Sequence, residues 1–160
     1  MSTFFISGID TGIGKTVVTG LIARFLRKNG KNVITHKMVQ TGNTGHSEDI
    51  DLHREIMEVE PFQEDKDFLT APQIFTFPAS PHLAAAIDKR PIDLNRITDS
   101  VKELEKRFDF VLVEGAGGLA VPLTEDLLTV DFAAQQGWPL ILVTSGRLGR
   151  IRVDHLDVLD

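Results

Sequence analysis

Residues 3 to 29 read TFFISGIDTGIGKTVVTGLIARFLRKN: a short apolar strand, a glycine-punctuated turn, and an amphipathic helix opening at Gly14-Lys15-Thr16. A strand that runs into a helix through such a turn belongs in a sheet with the helix packed on its face. The glycines at 12 and 14 let the backbone turn tightly and aim successive N–H groups inward, and the positive end of the helix favours an anion there. Lys15 adds a full charge that reaches the outer phosphates of a nucleotide, and the Thr16 hydroxyl is a ligand for Mg²⁺. Gly12, Ile13, Gly14, Lys15 and Thr16 are therefore the candidate contacts for a nucleoside triphosphate such as ATP.

The loop is a variant. The usual spacing puts its first glycine at position 9, where this chain has Ile9, with Gly8 one step earlier. The plainer alternative is a glycine-rich turn whose helix happens to start with lysine; the strand before and helix after weigh against it. A subclass of such loops that serves membranes or plasmids adds a signature lysine inside the turn. None stands in the turn here, which points away from those switches.

At 160 residues the prior is a single domain covering 1–160, long enough to bury about two-thirds of the surface its unfolded chain exposes. The absence of cysteine excludes disulfides, thiolate metal sites and a cysteine nucleophile, and suits the cytoplasm. With a formal charge of −6 and scattered basic residues, no footprint for nucleic acid is visible. No basic leader followed by a long apolar run stands at the N-terminus, and no apolar stretch approaches a membrane span. The expectation is a protein neither exported nor membrane-embedded.

The helix from Lys15 to about Asn29 carries Val17, Val18, Leu21, Ile22 and Leu26 on one face and ends in basic residues before Gly30. Asn32 to Lys37 follows as a strand, so strand, helix and strand predict a right-handed βαβ unit in a parallel sheet. The polar loop Gln40 to Glu48 falls at the carboxyl end of that strand, where α/β proteins place ligand contacts. Asp49 opens a helix to about Met57, and the acidic stretch 58–67 reads as a solvated connection. Ser80-Pro81-His82 reads as a helix entry with proline in the first turn.

A helix over 93–107 leads into Phe110 to Glu114, an apolar run of the kind central parallel strands show, and Glu114-Gly115-Ala116-Gly117-Gly118 ends it. An acidic residue at a buried strand's tip before a glycine-rich turn suits Mg²⁺ coordination next to a phosphate loop; the alternative is a strand cap beside a flexible turn. Glu114, Gly115, Ala116 and Gly117 join the candidate nucleotide contacts. A helix over 129–136 and a buried strand over 139–144 complete the pattern: an α/β, three-layer P-loop NTPase fold with a mainly parallel central sheet flanked by helices. His36 faces away from Lys37, since strand neighbours alternate, and reads as structural. His46, His53 and His155 have no partner at metal-ligand spacing and read as surface residues.

Six motifs in order, GIDTGIGKT, HKMVQTG, SED, SPHLAA, VEGAGGLAVPL and PLILVTSGRLG, resemble those of the dethiobiotin synthetases, from the first strand to about Ile151. The resemblance implies that an amine of diaminopelargonic acid captures CO₂ as a carbamate, ATP phosphorylates it, and the second amine displaces phosphate to close a cyclic urea. It assigns Lys15 and Lys37 as catalytic cations, Thr16, Asp49 and Glu114 as the Mg²⁺ shell, and Thr11, Lys37, Thr41, Gly149 and Arg150 as substrate contacts. Asp49 has a competing role as helix N-cap. The family commonly has serine where Thr41 stands. It also implies a homodimer with substrate at the interface.

Two departures follow. In the family the loop beginning Leu148-Gly149 presents backbone N–H groups to the substrate carboxylate and continues with an Asn-His pair, whereas Arg152 falls here where Asn is expected. Family members also run on for several tens of residues through a segment that contacts the adenine base. A sheet shortened there exposes apolar surface. A P-loop regulatory or assembly ATPase and a non-catalytic remnant of the synthetase remain as alternatives.

Overall fold

The computed structural model describes residues 2–145. In chain order they form β1 (Ser2–Gly8), α1 (Lys15–Lys28), β2 (Val33–Lys37), β3 (Gln40–Thr41), α2 (Glu48–Met57), α3 (Gln63–Lys66), β4 (Ile74–Phe75), α4 (Pro81–Ile87), α5 (Leu94–Glu105), β5 (Phe110–Glu114), α6 (Thr129–Gln135) and β6 (Leu140–Val143). Four parallel strands make the main sheet in the order β2-β5-β1-β6, and β3 pairs with β4 in a small parallel sheet of its own. β1 and β2, consecutive in sequence, are thus separated by β5.

Neighbouring residues of each central strand serve opposite layers. Phe5, Ile34, Val111 and Val113 enter one apolar cluster with Ala84 and Ala85 of α4, Ile97, Val101 and Leu104 of α5, and Phe132 and Ala133 of α6. Ile6, Val33 and Leu112 enter the other, with Ala23 of α1 and Met57 of α2. Helices therefore cover both faces, as expected for a parallel sheet. Burying a side chain such as Phe5 or Ile6, both at 0% exposure, contributes roughly 1.5–3 kcal/mol each.

The helix and strand expectations hold to within a residue or two, with three corrections. The 139–144 run forms a strand but is less buried than expected: Val143 is buried while Leu140 is 40% exposed, and among the described residues β6 pairs with β1 alone. An apolar run reports affinity for a sheet but not how many neighbours the sheet supplies. Within 58–67, α3 forms, and its Asp65 pairs with the buried Arg54 at 2.7 Å. The stretch is otherwise solvent-facing, as expected, with no residue of α3 buried, but Asp65 ties it to α2. The polar loop after β2 contains β3, too short at two residues for any period to register.

The N-terminal turn has the conformation its glycines require. Gly14, the residue before α1, has φ 101°, and a Cβ at Gly8 would stand 2.4 Å from Ile13 Cγ2. The first is left-handed backbone that disfavours any side chain, and the second is a close approach that leaves room only for hydrogen. α1 starts without a side-chain cap and without an acidic residue in its first turn, so its leading N–H groups remain for a ligand.

Candidate active site

The carboxyl ends of β1, β2 and β5 meet at one edge of the sheet. Parallel register sets Glu114 beside both Ile6 and Lys37, so the tips of β5 and β2 arrive level. A cleft of about 300 Å³ opens above them, lined by Thr11, Gly12, Lys15, Thr16, Lys37, Val39, Gln40, Thr41, Asp49, Glu114, Ala116 and Gly117. Nearly all the sequence-derived candidates in the described residues meet there.

Three oxygen-bearing side chains converge at its floor. Thr16 Oγ1 lies 3.0 Å from Glu114 Oε1 and 3.3 Å from Asp49 Oδ1. Lys37 Nζ is 2.5 Å from Asp49 Oδ2 and 2.9 Å from Glu114 Oε1, and also donates to the Gly115 carbonyl at 3.2 Å. Lys15 Nζ donates to the Asp10 carbonyl at 3.0 Å, which folds its side chain over the loop.

Burial sets the electrostatics and the neighbours decide the signs. Burial alone would raise the Glu114 carboxyl, but the Lys37 ammonium and the His53 hydrogen bond outweigh it and hold Glu114 well below the usual carboxylate range. Burial likewise pulls Lys37 down, and the charges of Glu114 and Asp49 reverse this to a net rise. Burial and the nearby Lys37 keep Lys15 below the usual lysine range against the pull of Glu114, Asp49 and Asp10.

Several candidates sit behind the cleft. The Ile13 side chain packs on the apolar cluster of α1, so only its backbone can face a ligand. The Gly115 N–H is committed to the Ile6 carbonyl. Gly149, Arg150, Arg152 and His155 lie outside the described residues. Asp49 is not the N-cap of α2: Ser47 takes that place, its Oγ accepting from Ile50 N at 3.2 Å, which leaves Asp49 free to point into the cleft.

His53 overturns its surface reading. It is fully buried, with Nε2 2.8 Å from Glu114 Oε2. The available signal was its spacing, four residues after Asp49 and thus on the same helix face. Sequence reasoning also missed Gln40 and Val39 on the lining; Gln40 Oε1 accepts from Ser47 Oγ at 2.6 Å, tying the loop to α2. His36 is structural as expected: Ser100 Oγ donates to the Ile97 carbonyl and so accepts from His36 Nε2 at 2.9 Å. His46 is exposed.

Thr16, Asp49 and Glu114 supply one hydroxyl and two carboxylates, hard oxygen donors of the kind Mg²⁺ takes alongside phosphate. Their mutual contacts show that they reach a common point, so the donor set fits the ion.

The family model for an AAA domain matches residues 2–158. The chain is 49% identical over 148 residues to the ATP-dependent dethiobiotin synthetase BioD 2 of Pasteurella multocida, covering 92% of this chain and 70% of that protein. It is 53% identical over 146 residues to the ATP-dependent dethiobiotin synthetase BioD of Chlorobaculum tepidum, covering 91% and 61%. For the BioD 2 protein of Haemophilus influenzae the identity is 47% over 147 residues, covering 92% and 77%. The chain belongs to the dethiobiotin synthetase family. It spans between about three-fifths and three-quarters of the length of these family members. A parallel sheet flanked by helices, with a phosphate loop after β1, is the P-loop fold expected of a synthetase.

Proposed function

We propose that this chain is an ATP- and Mg²⁺-dependent synthetase that joins CO₂ to diaminopelargonic acid and closes the cyclic urea of dethiobiotin, releasing ADP and phosphate. The observation that carries the reading is the meeting of Lys37 with Lys15, Asp49 and Glu114 in one cleft, since phosphate binding alone needs no second lysine from β2. The proposal includes a single ATP-binding domain and a homodimer with substrate at the interface.

Carbamate formation needs an unprotonated amine. Lys15 and Lys37 repel a third ammonium in the cleft, and Mg²⁺ bound by Asp49 and Glu114 would offset the opposite pull of those carboxylates. The carbamate is an anion that must approach a triphosphate, and Lys15 and Lys37 lower the cost of that approach by charge. Thr11 and Thr41, both on the lining, would hydrogen-bond the diamine or its carbamate. Gly12, Ala116 and Gly117, small residues on the lining, would leave room for the phosphates. When bound through Thr16, Asp49 and Glu114, Mg²⁺ supplies Lewis-acid charge at the phosphate oxygens. The protein itself mostly aligns reactants and stabilises charge.

The test is ring closure by this chain with ATP, Mg²⁺, bicarbonate and diaminopelargonic acid, with dethiobiotin detected by mass and phosphate counted beside it. Dethiobiotin formed in step with phosphate is the expected result. Phosphate without dethiobiotin would replace the synthetase reading with an ATPase; neither product from folded protein would leave a remnant of the fold. No helix among the described residues is long and apolar enough to cross a membrane.

A further inference from the structure

His53 stands outside every assignment made so far, yet it holds half of the most buried acid in the site. Glu114 has two carboxylate oxygens with separate partners: Oε1 accepts from Thr16 and Lys37, whereas Oε2 faces His53 Nε2. An ionised carboxylate only accepts, so Nε2 carries the hydrogen of this bond. The other ring nitrogen, Nδ1, is buried without a hydrogen-bond partner. The ring's polar engagement among the described residues is therefore with Glu114 alone. A leucine would fill a similar volume without burying an unpaired nitrogen, so burial alone does not account for the imidazole.

Position adds the second part of the argument. Asp49 and His53 are one helical turn apart on α2: Asp49 pairs with Lys37, which also binds Glu114 Oε1, while His53 binds Glu114 Oε2. One helix thus carries one of the two acids and the clamp on the other, which fixes their separation across 65 residues of sequence. A carboxylate held at one oxygen cannot swing about its last bond, so Oε1 stays aimed at Thr16 and the cleft.

We infer that His53 is a positioning residue, which through its Nε2 hydrogen bond orients the Glu114 carboxylate for the divalent cation and sets its spacing from Asp49. The inference rests on the proposed metal–nucleotide site. Outer partners of ligating carboxylates of this type typically change metal affinity or activity about 10–100-fold when removed.

The experiment measures Mn²⁺ affinity by electron paramagnetic resonance on the full chain with a non-hydrolysable ATP analogue, beside thermal melts. His53→Leu is expected to weaken Mn²⁺ binding about 10–100-fold and to lower kcat with little change in the diamine KM. His53→Gln, which retains a side-chain N–H donor of similar reach, is expected to recover most of both. Equal Mn²⁺ affinity in wild type and His53→Leu would overturn the inference while leaving the site reading intact. Failure of the Gln variant, when folded, to bind Mn²⁺ better than the Leu variant would overturn it as well. Should the Leu variant not fold, ¹⁵N imidazole spectra of the wild type decide: His53 is expected as the Nε2–H tautomer with a resonance that shifts on Mg²⁺–nucleotide loading, and the other tautomer or no shift would overturn it. A wild type that binds no Mn²⁺ with nucleotide would remove the site reading and the inference together.

Discussion

The two lysines divide the work of the cleft by what holds them. Lys15 folds over the phosphate loop, whereas Lys37 is fastened to both acids and the Gly115 carbonyl. Lys15→Ala is expected to reduce turnover by at least about 10²–10³-fold with a matching loss of nucleotide affinity. Lys37→Ala should lose dethiobiotin formation while nucleotide binding changes far less. Isothermal titration with an ATP analogue, set beside product assays, separates the two, and an equal affinity loss in both variants would refute this division. A third residue reports on stability. Burial lowers His36 to about 3 from its usual 6.5, so the unfolded chain binds one more proton than the folded chain between those values. The stabilisation is complete above the unfolded value and is lost as pH falls toward the folded one, at about 1.4 kcal/mol per pH unit for one proton. Denaturant titrations from pH 7 to 4 should show a shallower decline for His36→Leu than for wild type; parallel curves would contradict it.

At the scale of elements, α2 depends on its start. Ser47 caps the helix through Ile50 N and bonds Gln40 at the same time, so Ser47→Ala is expected to cost about 1–2 kcal/mol and to lower Tm by several degrees in a calorimetric scan. Arg54, one residue past His53, joins α2 to β2 through Thr35 and to α3 through a two-pronged pair with Asp65, and lies over the Phe62 ring at 4.8 Å. Arg54→Leu leaves Asp65 without its cation in a largely buried place and is expected to cost about 3–5 kcal/mol by urea unfolding, with Asp65→Leu in the same chain restoring part of it. Element scale is also where sequence reading was strongest and weakest. β5 ends at Glu114 as its apolar run predicts, and α1 starts at Lys15 as the turn demands, because periodicity and glycine chemistry are local. His53 was misread as a surface residue and the Arg54–Asp65 pair went unseen because the partners, Glu114 for His53 and Asp65 for Arg54, lie 61 and 11 residues away, and no local pattern states such pairings.

For the whole molecule, a bound ligand adds to folding stability by mass action. An ATP analogue with Mg²⁺ at about one hundred times its dissociation constant should stabilise the fold by about 2.7 kcal/mol, a rise of roughly 5–10 °C in Tm for a chain of this size. Chelating the metal should remove most of that rise, and an unchanged Tm would argue against a shared metal–nucleotide site. The global arrangement was legible as a class but not as an order of strands. Apolar runs bounded by helices announce a parallel sheet, while nothing in either run says that β5 slips between β1 and β2.

That insertion carries a consequence for how the protein is made. A ribosome delivers β1 and β2 early, but β5, the strand they both pair with, begins at Phe110. In the folded sheet β1 and β2 stand two strand spacings apart, twice the roughly 4.8 Å between paired strands, so until β5 emerges neither has the neighbour that the gap between them requires. At about 5–20 residues per second, the interval between finishing Lys37 and finishing Glu114 is on the order of 4–15 s. Throughout it both strands offer unpaired edges to whatever is nearby, and Lys37 has yet to meet Glu114. Translation speed between these two strands, rather than the strength of any one contact, governs how long the half-built sheet stays open to wrong partners.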